Sequence, residues 1–501
     1  MISVLTTEQA RADDAQAVDW GVSGQVLMEL AGAKAARYLD GVLPSGAVTV
    51  AVGSGRNGGD GLVVARYLAR KRPTILVLLH GEPQFDGASG LVQAATRYGA
   101  RLVDGDQLNM ALTRSRAVVD GILGTGATLP LRPWAKHAVE AIHRSGLPVY
   151  ALDIPSGVDA DSGQIAGPVI DAVATVTFGG TKWGHWCYPG AQRRGRLVVA
   201  DIGLPPPLTQ RTHVVEGEIV AGWMKPLRAD GHKYHRGRVA VIGGSPNMPG
   251  APQLAAEAAL RMGVGLVQLL VPRSLASRMA VSPAILVRPA EEDADGRLTL
   301  SATDLQAVSA MDAVVVGPGL GMGISPQQIA RVIKLGKPTV VDADALLPFA
   351  RLEQRIHPAP LLLTPHEGEL ARMLGVDSRW VRSERWKAFL TAWERFRATI
   401  VLKGPFTVAG RPGASWLNPT GTPVLATAGS GDVLAGMAGG LLAAGYPDWQ
   451  VTALAPFLHG LAGQRAFSGH GDSVIATDLI DELAGGWKGW LNTAPAACDS
   501  I

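Results

Sequence analysis

Cysteine, net charge and long hydrophobic runs are all scarce in this chain of 501 residues. Cys187 and Cys498 are its two cysteines, and they lie far apart without a CxxC motif. This excludes a disulfide framework and a cysteine zinc site, and it fits a reducing cytoplasm, where we expect the protein to act. The 46 basic residues nearly balance the 43 acidic ones, so we expect no nucleic-acid partner.

The most apolar stretches are too short for a membrane span. The run 433–445 is interrupted by glycine and falls below the roughly 18 residues that a spanning helix needs. At the start of the chain, Glu8, Arg11 and Asp13 come before any apolar segment of a secretory signal. The histidines form no HxxxH or HExxH pair. We therefore expect neither a membrane partner nor a histidine metal site.

The composition instead indicates a compact chain with more than one domain. Hydrophobic residues make up 47% and charged residues 18%, and the length exceeds what one hydrophobic core usually serves. The prolines at 205–207 mark the first plausible boundary, which predicts domains at 1–215 and 216–501. The small, polar tail from Thr493 onward is expected to fray.

Both halves alternate short β-branched runs with helical segments, and residues 7–39 are predicted to be helical. Such alternation predicts an α/β fold with parallel, doubly wound sheets and ligand sites at the carboxyl ends of the strands. The predicted strands are 48–52, 74–79, 117–120, 149–153, 175–178, 197–201, 239–242, 266–271, 313–316, 339–341, 361–363 and 399–402.

Three motifs of the N-terminal half combine glycine with oxygen-bearing side chains. The sequence GSGRNGGDG at 53–61 follows a strand, Asp120 ends a strand before a GTG turn, and Asp153 ends another with Ser156 three residues later. Each motif alone could be a turn that caps a helix. Together they predict one site whose oxygen ligands suit a hard cation.

This set of motifs, with TFGGTKWGH further on, resembles the NAD(P)H-hydrate epimerase domain over about residues 1–215. The resemblance implies a Rossmann-like domain in which Asp153 is the acid/base group and K⁺ is bound by Asn57, Asp120 and Ser156. It also implies the following substrate contacts: Arg56, Asn57, Gly58, Gly59, Asp60, Gly124, Thr125, Gly126, Ala127, Thr128, Leu129, Pro130 and Asp153.

The chain departs from the family at one of these positions. The family usually has Asn-Asn before Gly-Gly-Asp, whereas this chain has Arg56 first. The substitution keeps Asn57 and adds a charge that could pair with a phosphate of the dinucleotide. The other interpretation of this half is a non-catalytic binding module, because relatives of the domain occur in RNA-decapping scaffold proteins.

In the C-terminal half, residues 420–436 read TGTPVLATAGSGDVLAG. A glycine-rich turn leads into an apolar helix that is predicted to begin at Asp432. Free N–H groups at a helix N-terminus attract anionic oxygens such as those of a phosphate. An aspartate on the same turn would repel that phosphate, so its presence there indicates a function of its own. It could take the proton from a hydroxyl that attacks phosphorus. The plainer interpretation is that Asp432 only caps the helix.

Two strand ends complete this second set, Lys403 in IVLKGPFT and His366 in LLLTPHEGE. The set resembles the ribokinase-like domain of NAD(P)H-hydrate dehydratases over about residues 228–483. That resemblance implies ADP as co-substrate with Mg²⁺, bound by Lys403, Gly404, Pro405, Phe406, Thr407 and Gly431. It implies that the hydrated dinucleotide contacts Ala251, Gly319, His366 and Asp432. His366 could instead cap a helix, and Lys403 could be a solvated strand end.

Together the two resemblances predict a bifunctional enzyme, an isomerase and a lyase, that repairs nicotinamide nucleotides. It would epimerise the R and S forms of hydrated NADH and NADPH, and it would dehydrate the S form at the expense of ADP, giving AMP and phosphate. The alternative is a ribokinase-like kinase of a small molecule with a non-catalytic N-terminal module. We expect small-molecule substrates and a cytoplasmic homo-oligomer.

Overall fold

The computed structural model describes residues 1–85, 87–226, 229–321, 324–353, 357–492 and 496–501, which form two compact units. The N-terminal unit contains residues 2–211 and 497–501, and the C-terminal unit contains residue 1 and residues 212–496. The units divide a few residues before the boundary predicted at 215, because Thr212–Val214 pairs in parallel with a strand of the C-terminal unit.

Strands and helices are numbered along the whole chain. The strands of the N-terminal unit are β1 (Ser3–Leu5), β2 (Val48–Val52), β3 (Thr74–Leu78), β4 (Arg101–Asp104), β5 (Ala117–Gly121), β6 (Val149–Leu152), β7 (Ala172–Phe178), β8 (Thr181–Lys182), β9 (Arg196–Ala200) and β21 (Asp499–Ser500). Its helices are α1 (Thr7–Asp19), α2 (Gly24–Val42), α3 (Arg56–Ala69), α4 (Ala88–Arg97), α5 (Leu108–Thr113) and α6 (Pro133–Ser145).

The main sheet of the N-terminal unit is parallel throughout, in the order β21-β9-β7-β6-β5-β2-β3-β4. Strands β2, β3, β5 and β6 are buried on both faces, as a covered parallel sheet requires, whereas the edge strand β4 is mostly exposed. Helices α2, α3 and α4 pack on one face and α5 and α6 on the other. The predicted doubly wound fold is therefore confirmed, and the loops after β2, β5 and β6 come together at one edge.

The C-terminal unit is larger. Its strands are β10 (Thr212–Val214), β11 (Arg238–Ile242), β12 (Leu266–Pro272), β13 (Ile285–Glu292), β14 (Leu298–Thr299), β15 (Ala313–Val316), β16 (Thr339–Val341), β17 (Leu361–Leu363), β18 (Thr399–Leu402), β19 (Val408–Arg411) and β20 (Ala414–Leu417). Its helices are α7 (Gly217–Ala221), α8 (Gly250–Arg261), α9 (Arg273–Ala276), α10 (Ala302–Ser309), α11 (Pro326–Ile333), α12 (Leu346–Ala350), α13 (Glu367–Leu374), α14 (Ser378–Ser383), α15 (Arg385–Phe396), α16 (Ser430–Ala443), α17 (Asp448–His470) and α18 (Ala476–Ala484).

The sheet of this unit runs β14-β13-β12-β11-β15-β16-β17-β18-β19-β20-β10. It is parallel from β13 to β18, and β19 and β20 add an antiparallel end. Helices α8, α16, α17 and α18 form the core on one face. Helix α16 approaches α8 closely at Gly436, which has no side chain. A Cβ at this position would collide with the carbonyl oxygen of Ala255.

The expected fraying of the tail is wrong for its last residues. Residues 493–495 lie outside the described residues, but Asp499–Ser500 pairs in parallel with β9 and Ile501 packs on the core of the N-terminal unit. Within the described ranges, no helix is both long and apolar enough to cross a bilayer.

Candidate active sites

The carboxyl edge of the N-terminal sheet opens into a cavity of about 1300 Å³. Helices α1, α2 and α3, the loop after β5, and Asp153 after β6 surround it. Nine of the residues predicted to contact substrate line this cavity: Arg56, Asn57, Asp60, Gly124, Thr125, Gly126, Ala127, Thr128 and Asp153. The other four, Gly58, Gly59, Leu129 and Pro130, are not among its lining residues.

Asp153 has a left-handed backbone with φ 62°, a strained conformation that non-glycine residues rarely adopt outside functional sites. Its Oδ1 forms an ion pair with Lys182 Nζ at 2.5 Å and accepts a hydrogen bond from Thr177 Oγ1 at 3.1 Å. Burial alone would raise the pKa of Asp153, but the Lys182 ammonium outweighs it and holds that pKa below its usual range. Asp153 is therefore an ionised base at neutral pH.

His185 holds the backbone of Asp153 in place. The backbone N–H of Lys182 donates to Nδ1 at 3.0 Å, so the proton of the neutral ring lies on Nε2, which donates to the carbonyl oxygen of Asp153 at 2.9 Å. Burial and the Lys182 charge lower the pKa of His185 to about 3, which keeps the ring neutral. Sequence reasoning gave neither residue a role, although TFGGTKWGH contains both.

The three residues predicted to bind K⁺ lie around Leu123. Ser156 Oγ donates to Asp120 Oδ1 at 2.7 Å and accepts from the N–H of Leu123 at 3.0 Å. Asn57 Nδ2 donates to the Leu123 carbonyl at 2.9 Å, which leaves its Oδ1 buried without a hydrogen-bond partner. Asn57 bonds to the backbone of Leu123 and Asp120 accepts from the N–H of Ile122 at 3.1 Å, so a buried amide oxygen and a buried carboxylate contact the same loop. Oxygen ligands of this kind suit a hard cation.

In the C-terminal unit, α16 begins two residues earlier than predicted. Gly429 is the N-cap, with a left-handed φ of 86°, and Ser430 is the first helical residue. Asp432 therefore lies in the first turn and is not the N-cap, so both the predicted helix start and the capping interpretation are wrong. Burial, together with Asp342 and other nearby carboxylates, raises the pKa of Asp432 to about 7.

Lys403 directly follows β18, and only 16% of its side chain is exposed, so it is not a solvated strand end. Its Nζ lies 2.9 Å from Asp342 Oδ1 and 3.8 Å from Glu369 Oε2. A Cβ on Gly431 would lie 3.2 Å from the same nitrogen, so the start of α16 faces this lysine. The site thus combines a cation, a helix N-terminus and the high-pKa carboxyl group of Asp432. Phosphoryl transfer to a hydroxyl requires groups of this kind, which stabilise the phosphate charge and accept the proton of the hydroxyl.

The loop after Lys403 contains four more of the predicted nucleotide contacts, Gly404, Pro405, Phe406 and Thr407. Phe406 has a left-handed φ of 53°. A Cβ on Gly404 would lie 2.9 Å from the guanidinium of Arg385, which donates to the Leu402 carbonyl at 3.2 Å. The Arg385 side chain therefore packs against the start of this loop.

The remaining predicted dinucleotide contacts lie on neighbouring elements. His366 is the N-cap of α13, where its Nδ1 accepts from the N–H of Gly368 at 3.0 Å, and its side chain remains more than half exposed. A Cβ on Gly319 would lie 3.1 Å from the Cβ of Ala251. Sequence reasoning assigned no role to Asp342 or to Glu369, although LLLTPHEGE contains Glu369 and Asp342 directly follows the predicted strand 339–341.

Comparison with known proteins assigns a family model to each half. Residues 24–184 match the model described as YjeF-related protein N-terminus, and residues 239–484 match the one described as NAD(P)H-hydrate dehydratase.

Similar proteins extend over nearly the whole chain. A bifunctional NAD(P)H-hydrate repair enzyme Nnr from Moorella thermoacetica is 36% identical over 96% of this chain and 96% of its own. One from Thermofilum pendens is also 36% identical, over 96% and 95%. Among solved structures, an ADP/ATP-dependent NAD(P)H-hydrate dehydratase from Bacillus subtilis, co-crystallised with ATP and Mg²⁺, is 29% identical with a TM-score of 0.50. It covers 56% of this chain and 99% of its own.

Proposed function

The chain belongs to the family of bifunctional NAD(P)H-hydrate repair enzymes, and from this premise we propose how its two sites divide the work. The protein is an epimerase and a dehydratase of hydrated NAD(P)H, and it uses an adenine nucleotide with Mg²⁺. We assign epimerisation to the cavity around Asp153 and dehydration to the site around Asp432. The observation that supports this division most strongly is that each unit places one lysine, with at most 16% of its side chain exposed, near the proposed carboxylate: Lys182 pairs with Asp153, and the charge of Lys403 acts on Asp432.

In the epimerase site, the cavity receives the dinucleotide, and the ionised Asp153 moves the proton at the C6 hydroxyl. Lys182 and His185 hold Asp153 in place. Arg56, which lines the cavity near its mouth, supplies a positive charge for a phosphate of the dinucleotide. The N-terminus of α3 adds N–H groups of the same electrostatic sign.

K⁺ belongs to the same site in this proposal. The buried Oδ1 of Asn57, the carboxylate of Asp120 and the hydroxyl of Ser156 would hold it. A bound cation would neutralise the buried Asp120 and fix the loop that contains Leu123, next to the cavity. Replacing K⁺ with tetramethylammonium should lower the melting temperature of the N-terminal unit and the epimerisation rate, whereas Asn57→Leu should remove this dependence.

In the dehydratase site, the N–H groups at the start of α16 and the ammonium of Lys403 bind the phosphates of the nucleotide, which we propose is ADP. Asp432 takes the proton from the C6 hydroxyl as that oxygen attacks phosphorus. The phosphorylated oxygen then leaves C6 as phosphate and C5 loses a proton to water, so that the C5–H electron pair forms the C5=C6 bond of the dihydronicotinamide. No group of three or more histidine, cysteine or acidic side chains in the described chain is arranged to hold a metal. Mg²⁺ therefore fits best as a companion of the nucleotide phosphates, with Asp342 or Glu369 as its protein ligand.

One assay tests this division of labour. Racemic hydrated NADH is mixed with the protein, Mg²⁺ and either ADP or ATP, and the dihydronicotinamide absorbance is followed. Full recovery requires both activities, whereas Asp153→Asn should stop near half recovery at early times, because only the S form is consumed. Accumulation of a stable phosphate ester would instead favour the kinase alternative and contradict the proposal. The yield with each nucleotide decides between ADP and ATP.

Two predictions concern the protein in the cell. We propose that it acts in the cytoplasm and as a homo-oligomer. Light scattering of the purified protein measures its molar mass, and a mass equal to one chain would contradict the oligomer.

A further inference from the structure

Epimerisation at C6 by loss and re-addition of water requires proton transfer on both faces of the nicotinamide ring. C6 of the hydrate carries the hydroxyl group and is bonded to the ring nitrogen N1. If hydroxide leaves from one face and water adds to the other, each oxygen needs its own acid or base. A single carboxylate beside one face does not meet this requirement.

Asp60 meets it from a second element of the same cavity. Asp153 follows β6, whereas Asp60 lies in the second turn of α3, and both line the cavity with Lys182. Asp153 has two polar partners for its carboxylate, Lys182 and Thr177. Among the residues that the structure describes, no donor hydrogen-bonds to the carboxyl group of Asp60. Two carboxyl groups of one site therefore stand in opposite environments.

These environments favour opposite protonation states. Burial and the neighbouring carboxylates of Asp153 and Asp14 raise the pKa of Asp60 well above its usual range, and Lys182 and Arg56 oppose this only in part. The pKa of Asp153 is held low by Lys182. Two carboxyl groups whose pKa values are pushed apart form an acid and a base at the same pH.

We propose that Asp60 is the second acid/base residue of the epimerase site and acts together with Asp153 on the C6 hydroxyl. Asp60 gives its proton to that oxygen, the C6–O bond breaks as the N1 lone pair forms the C6=N1 bond, and water leaves. Water then adds to the other face of C6, the C6=N1 electron pair returns to N1, and Asp153 accepts the proton of the added water. Asp60 ends ionised and Asp153 protonated, which is the starting state for the reverse direction.

Asp14 is the other carboxylate that faces this pair. It lies on α1, lines the same cavity, and has a pKa raised by burial. The largest charge acting on it is that of Lys182, whereas the largest acting on Asp60 is that of Asp153. Both carboxyl groups feel the charge of Asp153, so Asp14→Asn is the variant that discriminates between them.

The inference rests on the proposed epimerase function and is tested on the full-length protein without nucleotide, so that only epimerisation proceeds. The R form is incubated in H₂¹⁸O, the two epimers are separated, and their mass is measured. The wild type should incorporate one ¹⁸O for each interconversion above the uncatalysed background. Asp60→Asn should lower the maximal rate by about 10²–10⁴-fold while the affinity for the hydrate stays within a few-fold. Asp104→Asn, which changes an exposed carboxylate outside the cavity, should behave as wild type.

Dehydration of the S form by Asp60→Asn, measured after ADP is added, shows that the variant is folded in its other unit, and circular dichroism checks the N-terminal unit. Interconversion with retention of ¹⁶O would overturn the mechanism. So would a loss that is confined to affinity, or a loss in Asp14→Asn as large as that in Asp60→Asn. A wild type that interconverts no epimers would instead contradict the proposed function itself.

Discussion

Asp153 is buried and Asp432 is partly buried, and the charged neighbours of the two carboxylates differ. Asp153 is paired with Lys182 at 2.5 Å, and its pKa falls. Lys403 is already paired with Asp342, and burial together with the charge of Asp342 and other carboxylates raises the pKa of Asp432 to about 7. Asp153 is therefore ionised at neutral pH, whereas Asp432 can take up or release a proton near neutral pH.

Lys182→Met should move the pH dependence of epimerisation upward. The ammonium is what outweighs burial at Asp153, so its loss lets the pKa of Asp153 rise. A base must be ionised to act, and the acid limb of the rate profile should therefore shift to higher pH, with a lower rate at pH 7. Lys182→Arg keeps the cation and should restore most of the wild-type profile. An unshifted acid limb in a folded Lys182→Met variant would contradict this role.

Asp432→Asn should lower the dehydration rate by about 10²–10⁴-fold, because an amide cannot accept the proton. Its effect on stability depends on pH. The pKa of Asp432 is raised in the folded state, so its stability contribution is most favourable below pH 3.8 and becomes steadily less favourable as the pH rises to about 7. The variant should therefore melt at a higher temperature than wild type at pH 8, and the difference should shrink towards pH 4. Epimerisation serves as the internal control, and near-normal dehydration would exclude the base assignment.

The sequence predicts a role for these two aspartates, but it does not predict their surroundings. GSGD predicts an anion site because glycine and a helix start are local features. The start at Ser430 in place of Asp432 follows from the left-handed Gly429, which sequence does not distinguish from a flexible glycine. Lys182 comes 29 positions after Asp153. Only the folding of the chain brings these two residues together.

At the level of elements, the close packing of α16 against α8 positions the phosphate-binding turn. Gly436 faces the backbone of Ala255, and buried His459 on α17 holds the first turn of α16 through the Ser430 carbonyl at 3.0 Å. Burial lowers the pKa of His459 to about 4, so the ring is neutral at pH 7 and acts as a fixed donor. The helix start is thereby held from two sides.

Gly436→Val should separate α16 from α8. The new side chain would meet the Ala255 carbonyl, a backbone atom that cannot rotate away, and overpacking of this kind costs about 1–3 kcal/mol or more. The melting temperature of the C-terminal unit and the dehydration rate should both fall, whereas epimerisation should persist. Gly469→Val is a matched control, because a Cβ at Gly469 meets nothing within 4 Å. Equal stability of the two variants would contradict the close-packing argument.

The predictability of the strands follows from burial on both faces. Each strand that the sequence indicated is found within a few residues, because continuous Val, Ile and Leu runs are typical of covered parallel strands. Strand β13 was missed, since Ile285–Glu292 contains a proline and charged residues and reads as a loop. It lies near the edge of its sheet, between β12 and the two-residue β14, where such residues are tolerated.

For the whole molecule, the units are not two consecutive segments of the chain. Residues 497–501 return to the N-terminal unit and extend its sheet beside β9. The N–H of Ile501 donates to the Val199 carbonyl at 3.0 Å, Arg196 pairs with Asp499 at 2.5 Å, and the Ile501 side chain packs on the same core as α2 and α3. No local signal in a small, polar tail predicts this, because the pairing partner lies 300 residues away.

Deletion of residues 497–501 should therefore destabilise the unit that is distant in sequence and spare the adjacent one. The loss of the β21 pairing and of the apolar contact of Ile501 should remove about 1–2 kcal/mol, which corresponds to about 2–4 °C for each kcal/mol in a unit of this size. Two melting transitions should be resolved. Only the transition at which epimerase activity is lost should shift to a lower temperature. Asp499→Ala is the companion variant, and since its ion pair is exposed it should account for little of the effect. If the deletion lowered the dehydratase transition and left the epimerase transition unchanged, the tail would be part of the C-terminal unit, and this assignment of residues 497–501 would fail.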